Sequence, residues 1–267
     1  MGQGSLGRLQ RLAIAPGQIH QGQVYLTAEQ KHYLLQVLRL QAGDAFIAMD
    51  GQGACWRALL DRVDNATGAV LQATLADSVA METELPVPVT LIAALPKGNG
   101  FDQVLRHSVE LGVAAIAPAI SERTLLSPSP QKRLRWQRIA REAAEQSERT
   151  TVPAVLEPEP FAACLQNWQS VPLRYLCVAR GAAPHLWPCL QQAMQQRPDR
   201  QGLGAIAIAT GPEGGWTDEE IAAAIAAGYQ PVSLGCRILR AVTAPLVALS
   251  LVAANLESRH TESHNNR

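Results

Sequence analysis

No charge of either sign is in excess: 23 Lys and Arg balance 23 Asp and Glu in 267 residues. That argues against a protein that coats nucleic acid through its overall field. Cysteine offers no framework either. The five present (Cys55, Cys164, Cys177, Cys189 and Cys236) are odd in number and scattered, with no C-x-x-C pair. A disulfide scaffold and a zinc site are therefore not expected, and reduced interior thiols are. No apolar run follows Arg8 and Arg11, as a signal peptide would need. No stretch approaches the length of uninterrupted apolar chain that spans a bilayer. The expected location is cytoplasmic. The chain shows no internal repeat.

Charge is nevertheless uneven. Residues 1–40 hold four basic side chains against one acidic, and residues 121–150 hold seven against four. These two stretches are the candidate phosphate-facing surfaces. Length and a hydrophobic content of 47% allow one large domain or two modest ones.

Patterning favours two. Val24–Leu26 reads as a short strand, and Thr27 as the cap of a helix carrying His32, Tyr33, Val37, Leu38 and Arg39. Asp44–Met49, Ala54–Leu60 and Ala69–Leu75 read as strands, with turns at Asp50-Gly51 and Asn65–Gly68. Short strands at this spacing predict a small barrel. Glu82–Pro88, with two prolines, reads as a linker. Beyond it the apolar runs Val89–Leu95, Ala114–Ala119, Tyr175–Ala179, Ala205–Thr210 and Pro231–Leu234 alternate with helical segments. Asp102–Leu111, stopped by Gly112, and the basic Lys132–Ser147 are two of those helices; the last runs from about Ala244 to Glu257. That alternation predicts an α/β fold whose parallel sheet is covered on both faces. The expected division is a barrel over 1–82, a larger domain over 83–258 and a polar, flexible tail over 259–267.

One junction carries chemistry. The strand Ala205–Thr210 runs into Gly211-Pro-Glu-Gly-Gly215, and Thr217 and Glu220 follow at capping-box spacing. A glycine-rich loop between a strand's carboxyl end and a helix start is where open α/β sheets bind ligands. It is not a phosphate loop, because no Lys-Ser/Thr follows the glycines, and it is not G-x-G-x-x-G. Glu213 would repel a phosphate and suit a neutral or cationic ligand. A tight structural turn explains the loop equally well when it is taken alone. A second loop, Leu234-Gly-Cys-Arg-Ile-Leu-Arg240, follows the next strand, and Thr243 then caps the final helix. Two such loops can converge on one ligand.

These two loops together resemble the RsmE-like family of SPOUT methyltransferases, which act on N3 of a uridine in bacterial 16S ribosomal RNA. The resemblance extends to His32-Tyr-Leu-Leu-Gln-Val-Leu-Arg39, Leu95-Pro-Lys-Gly98, Glu110-Leu-Gly-Val113 and Ser121-Glu-Arg-Thr124. It continues through Glu145-Gln-Ser-x-Arg149 and Val152-Pro153, in the family's order, so it covers nearly the whole chain. It implies a PUA-like N-terminal barrel and a SPOUT domain with a C-terminal trefoil knot, which no periodicity suggests. It also implies a homodimer formed through the C-terminal domain. The implied cofactor is S-adenosyl-L-methionine, held by Leu95, Thr210, Gly211, Pro212, Gly214, Gly215, Leu234, Gly235, Ile238 and Leu239. The implied partner is 16S ribosomal RNA or the small ribosomal subunit, contacted by His32, Arg39, Lys97, Arg123 and Arg149.

A neutral uridine N3 holds a proton and is a poor nucleophile. Arg240 is the candidate for stabilising charge on the base, and Glu213 the candidate base. Arg240 could instead form an ion pair between subunits, and Glu213 could cap its own loop. The chain departs from the family pattern at Val242, where Glu is usual, and at Cys236, where Pro is frequent. It departs also at Gly100 and His107, where basic residues are common. A methyltransferase of the same fold acting on a ribose 2′-hydroxyl or on transfer RNA is an alternative. So is a non-catalytic RNA-binding assembly factor, which Val242 keeps open.

Overall fold

The computed structural model describes residues 9–61, 72–124, 128–197 and 203–264, with side chains of the last helix to Ser258. The chain forms two compact units. The first comprises Met1–Glu84 together with Ala144–Val152, and the second comprises Leu85–Ala143 and Pro153–Arg267. A single cut at 82/83 assigns 144–152 to the other unit. Among the described residues no helix is long and apolar enough to cross a membrane.

The first unit is built on six strands: β1 (Arg11–Ala13), β2 (Ile19–His20), β3 (Gln23–Tyr25), β4 (Ala45–Met49), β5 (Cys55–Leu60) and β6 (Gln72–Ser78). Their order is β1-β4-β5-β6-β3-β2, antiparallel except where β1 meets β4. Leu12 and Ile14, at one end of that order, share a core with Val24, near the other, and with Phe46, Ala58 and Leu60 between them. Strands so far apart in the order meet only if the sheet curls on itself. The turn expected at Asn65–Gly68 and the start of the strand expected at Ala69 lie outside the described residues.

Thr27 caps α1 (Ala28–His32) as its sequence predicts. Its Oγ1 accepts from the Gln30 N–H at 3.2 Å, and Gln30 Oε1 accepts from the Thr27 N–H at 2.8 Å. The helix does not continue as expected. Tyr33–Val37 winds as a wider π-turn, with the Leu38 N–H bonded to the Tyr33 carbonyl at 2.9 Å. Arg39 lies beyond it at φ +57°. His32 and Arg39 are therefore not two α-helical turns apart on one face, although both are exposed.

The segment 144–152 closes this unit. Glu145 Oε1 accepts from the Ala13 N–H at 2.7 Å, and Glu148 pairs with the buried Arg11 at 2.7 Å. Arg149, 3% exposed, donates from Nε to Glu84 Oε2 at 3.1 Å. Glu84 Oε1 in turn accepts from the Thr150 and Thr151 amides at 3.0 and 3.1 Å.

The second unit carries a seven-stranded parallel sheet. Its strands are β7 (Val89–Ala94), β8 (Ala115–Ile120), β9 (Ala154–Val155), β10 (Glu159–Pro160), β11 (Leu173–Cys177), β12 (Ile206–Thr210) and β13 (Gln230–Val232). The order is β10-β8-β7-β12-β11-β13, with β9 also paired to β8. The central strands are apolar throughout because both faces are covered. On one face, Ile92, Ala94, Leu176, Ala207 and Ala209 pack with α4 (Phe161–Asn167) and α6 (Asp218–Ala226). On the other lie α2 (Gly100–Glu110), α5 (Leu186–Gln196) and α7 (Thr243–His264), α7 packing on both its neighbours. Between them in sequence, α3 (Pro130–Gln146) is tied to α2 by Arg135, whose Nε donates to the buried Asp102 at 2.9 Å.

Gly112 ends α2 at φ +84°, a conformation only glycine adopts freely. Several boundaries differ from expectation: β6 runs on to Ser78 and β13 stops at Val232, and two more bear on the site. β11 ends at Cys177 rather than at 179, which frees 178–181 to leave the sheet. Thr243 is the first residue of α7 rather than its cap, and the Arg240 carbonyl accepts from the Thr243 and Ala244 amides at 2.8 and 3.0 Å.

Candidate functional site

Every strand of the second unit runs the same way, so the loops after β7, β8, β11, β12 and β13 gather at one edge of the sheet. The glycine loop 211–215 after β12 is held by its neighbours. On one side Glu213 Oε1 accepts from the Lys97 N–H at 3.0 Å, and Lys132 Nζ donates to the Gly98 carbonyl at 2.8 Å. On the other, Arg123 Nη1 donates to the Gly214 carbonyl at 2.6 Å. The Glu122 N–H donates to Glu220 Oε1 at 2.9 Å. Ser121 and Thr124 close that neighbouring loop as a turn, their hydroxyls 2.9 Å apart. Thr217 and Glu220 form the predicted capping box, at 2.9 and 3.2 Å.

Trp216 anchors the loop from beneath. Its ring stacks on Phe161 with centroids 4.1 Å apart, and its Nε1 donates to the Cys177 carbonyl at 3.2 Å. One side chain thus ties the β12 loop to the end of β11. A Cβ on Gly211 would stand 3.2 Å from that indole, tight enough that the ring would have to give by a few tenths of an ångström.

The gathered loops enclose a cleft of about 560 Å³. Of the residues assigned to a cofactor by sequence, Gly211, Pro212, Gly214, Gly215, Leu234, Gly235, Ile238 and Leu239 line it. Leu95 and Thr210 are buried at the ends of β7 and β12 and are not among the lining residues. Thr210 Oγ1 is buried without a hydrogen-bond partner. Glu213 lines the cleft and is exposed. Arg240 is exposed just outside the lining, and Lys97 is exposed beside Glu213. Arg123 is both a lining residue and a brace of the glycine loop. His32 and Arg39 belong to the first unit, and so does Arg149, whose side chain is buried on Glu84 rather than offered to solvent.

Sequence reasoning missed a third wall. Val178, Ala179, Arg180 and Gly181 line the cleft, as do Arg237, Asp218 and Ala241. The signal was Gly181 four residues past an apolar run, hidden by placing the strand end too late. Two departures from the family pattern meet here: a Cβ on Gly100 would lie 3.0 Å from Val242 Cγ1. Neither position lines the cleft.

The lining carries both signs of charge, Glu213 and Asp218 against Arg123, Arg180 and Arg237, and it suits a compact ligand whose positive centre meets the carboxylates. The volume falls within the usual range for small-molecule sites, about 300–1,000 Å³. Glu213 and Asp218 supply carboxylates, and Pro212, Ile221 and Leu239 supply apolar surface. Burial pushes the Cys177 thiol up to about 12, so this lining sulfur is not a thiolate nucleophile. Among the described residues no group of three His, Cys, Asp or Glu could hold a metal ion.

The RNA methyltransferase domain family matches residues 83–253, and the RNA methyltransferase PUA domain family matches residues 26–62. The cleft residues thus fall in the first match, and β4 and β5 of the curled sheet in the second. The ribosomal RNA small subunit methyltransferase E of Synechocystis is 50% identical over 93% of this chain and 78% of its own. That of Bacillus subtilis is 30% identical over 87% of this chain and 90% of its own. A crystal structure of the Neisseria gonorrhoeae ribosomal RNA small subunit methyltransferase E bound to S-adenosyl methionine superposes with a TM-score of 0.77. It is 34% identical, covering 91% of this chain and 96% of that one. The chain belongs to the ribosomal RNA small subunit methyltransferase E family.

Proposed function

We propose that the protein binds S-adenosyl-L-methionine in the 560 Å³ cleft and methylates N3 of a uridine in 16S ribosomal RNA. The observation that carries this reading is the convergence of 211–215 with Leu234, Gly235, Ile238 and Leu239 on one cleft of suitable size. The gonococcal relative, whose structure holds S-adenosyl methionine, supports it.

The cofactor, when bound, supplies a methyl group on a cationic sulfur. This chain's residues supply the rest. Carboxylates at Glu213 and Asp218 favour a positive ligand centre. Glu213 spends Oε1 on the Lys97 amide, which fixes the carboxylate and leaves Oε2 to take the N3 proton. Arg240, exposed beside the cleft, stabilises negative charge on a uracil oxygen. Lys97 and Arg123, flanking the glycine loop, meet RNA phosphates near the reacting base, while His32 and Arg39 serve the first unit's RNA contacts. In this reading the chain works in the cytoplasm as a homodimer through its C-terminal domain. The loops around α7 form the trefoil knot.

The test is methyl transfer to small-subunit particles and to naked 16S RNA, with the product mapped by mass spectrometry. The expected product is N3-methyluridine, and Arg240→Ala should lower kcat by about 100-fold, the loss typical of one charge-stabilising donor. Methyl found on a ribose or in transfer RNA overturns the substrate assignment. Full activity in Arg240→Ala overturns the role of that residue. Absence of calorimetric S-adenosylmethionine binding overturns the enzymatic reading.

A further inference from the structure

Two arginines at the lip of the cleft have no task in the fold. Arg180 lies on the loop after β11, and Arg237 on the loop after β13; both line the cleft and both are exposed. Their loops are stitched together: the Ser233 N–H donates to the Pro184 carbonyl at 2.8 Å, and the Leu186 N–H to the Ser233 carbonyl at 2.9 Å. The Arg237 guanidinium folds back over Gly235, with Nη2 3.8 Å from where a Cβ there would stand.

Of the other arginines of the same unit, Arg106, Arg141 and Arg240 also lack an ion pair or hydrogen bond among the described residues but do not line the cleft, while several are occupied. Arg133 pairs with Glu157 at 2.7 Å, Arg135 with Asp102 at 2.9 Å, and Arg123 holds the Gly214 carbonyl. Among the described residues, neither Arg180 nor Arg237 has an ion pair or a hydrogen bond. The lining acids, Glu213 and Asp218, sit on the loop and helix start after β12 instead. The cleft is therefore polarised, with carboxylates on one wall and free guanidiniums on the other two.

We infer that Arg180 and Arg237 together receive a phosphate of the RNA strand beside the nucleotide to be methylated, positioning the base over the cleft. This rests on the reading of the cleft as an RNA methyltransferase site. Guanidinium forks match phosphate oxygens in pairs. Exposure at the lip favours the macromolecule over the cofactor's carboxylate, since a small ligand is mostly enclosed. Neighbouring Ile238, 67% exposed, extends the same lip as an apolar edge on which an unstacked base can rest. These are positioning residues, outside the proton transfer assigned to Glu213.

The experiment compares wild type, Arg180→Gln, Arg237→Gln, the double variant and the Arg→Lys pair. Affinity for transcribed 16S RNA is measured by filter binding from 50 to 300 mM KCl, and S-adenosylmethionine affinity by calorimetry. Each Gln variant should weaken RNA binding about three- to tenfold. The double variant should also flatten the log K against log salt slope by about 0.7, the share of the one phosphate that the pair neutralises. Cofactor affinity should stay within about twofold, and Lys should restore the slope without full affinity. Unchanged RNA affinity and slope in the double variant overturn the inference. So does a tenfold loss of cofactor affinity at an unchanged slope, which would assign the pair to the cofactor's carboxylate. The RNA arm is read without cofactor, so a wild type that failed to bind S-adenosylmethionine would count against the methyltransferase reading alone.

Discussion

Glu84→Ala should destabilise the first unit far more than an ordinary surface change. Glu84 accepts from Arg149 Nε at 3.1 Å and from the Thr150 and Thr151 amides at 3.0 and 3.1 Å. Removing it takes one carboxylate from a 3%-exposed guanidinium and the acceptor from two amides. Breaking a fully buried pair costs about 3–5 kcal/mol. The Glu84 side chain is 29% exposed, so water reaches the vacated site and the cost falls to about 2–3 kcal/mol. Arg149→Ala leaves a carboxylate that water and two amides still satisfy, and should cost about 1–2 kcal/mol. A double-mutant cycle should return a coupling of about 1–2 kcal/mol. The assay is urea unfolding with an unchanged m value, alongside amide exchange at Thr150 and Thr151, which should quicken in Glu84→Ala. If Arg149→Ala kept its midpoint and instead flattened the salt dependence of RNA binding, the buried-pair reasoning would fail. Arg149 would then be the phosphate ligand its sequence context implies.

Gly211→Ala should push against the Trp216 indole 3.2 Å away and strain its bond to Cys177. We expect about 1–3 kcal/mol of overpacking cost and a cofactor Kd weakened at least tenfold, read by calorimetry and thermal unfolding. Unaltered binding would mean that the indole does not set the loop. Native protein should give one equivalent of thiol label at pH 8, on Cys236, since the other four cysteines are buried; four or five equivalents would contradict the packing. Burial also raises Cys164 and Cys177 to about 12. Both stay protonated in the folded chain while an unfolded thiol ionises near 9. Stability from each is full below about pH 9 and falls by about 1.4 kcal/mol per pH unit until about pH 12. Cys177→Ala should reduce that alkaline slope in equilibrium unfolding, and an identical slope would refute the assignment.

Elements with a single dominant signal were legible in sequence. β7 and β12 are mostly apolar runs, each with one buried threonine, and Thr217 with Glu220 marks a helix start that the hydrogen bonds realise. Eight of the ten residues assigned to the cofactor line one cleft, because glycines at strand ends report backbone exposure to a ligand. What stayed hidden depends on tertiary partners. Tyr33–Val37 has the composition of an ordinary helix, and nothing local marks it as the π-turn that it forms. Arg149 looked available for RNA because its partner, Glu84, lies 65 positions earlier. The wall at 178–181 was lost because Val178 and Ala179 continue the apolar run of β11 without belonging to it.

The return of residues 144–152 to the first unit bears on how the chain is made. A ribosome releases Glu84 long before Arg149, and Ala13 long before Glu145. The curled sheet therefore emerges with a charged Arg11 on the face opposite Leu12 and no Glu148 to meet it. At about 5–20 residues per second, roughly 70 further residues take several seconds to appear. For that interval the N-terminal unit is an unfinished body, and its closure is a late event of synthesis, timed by helix α3.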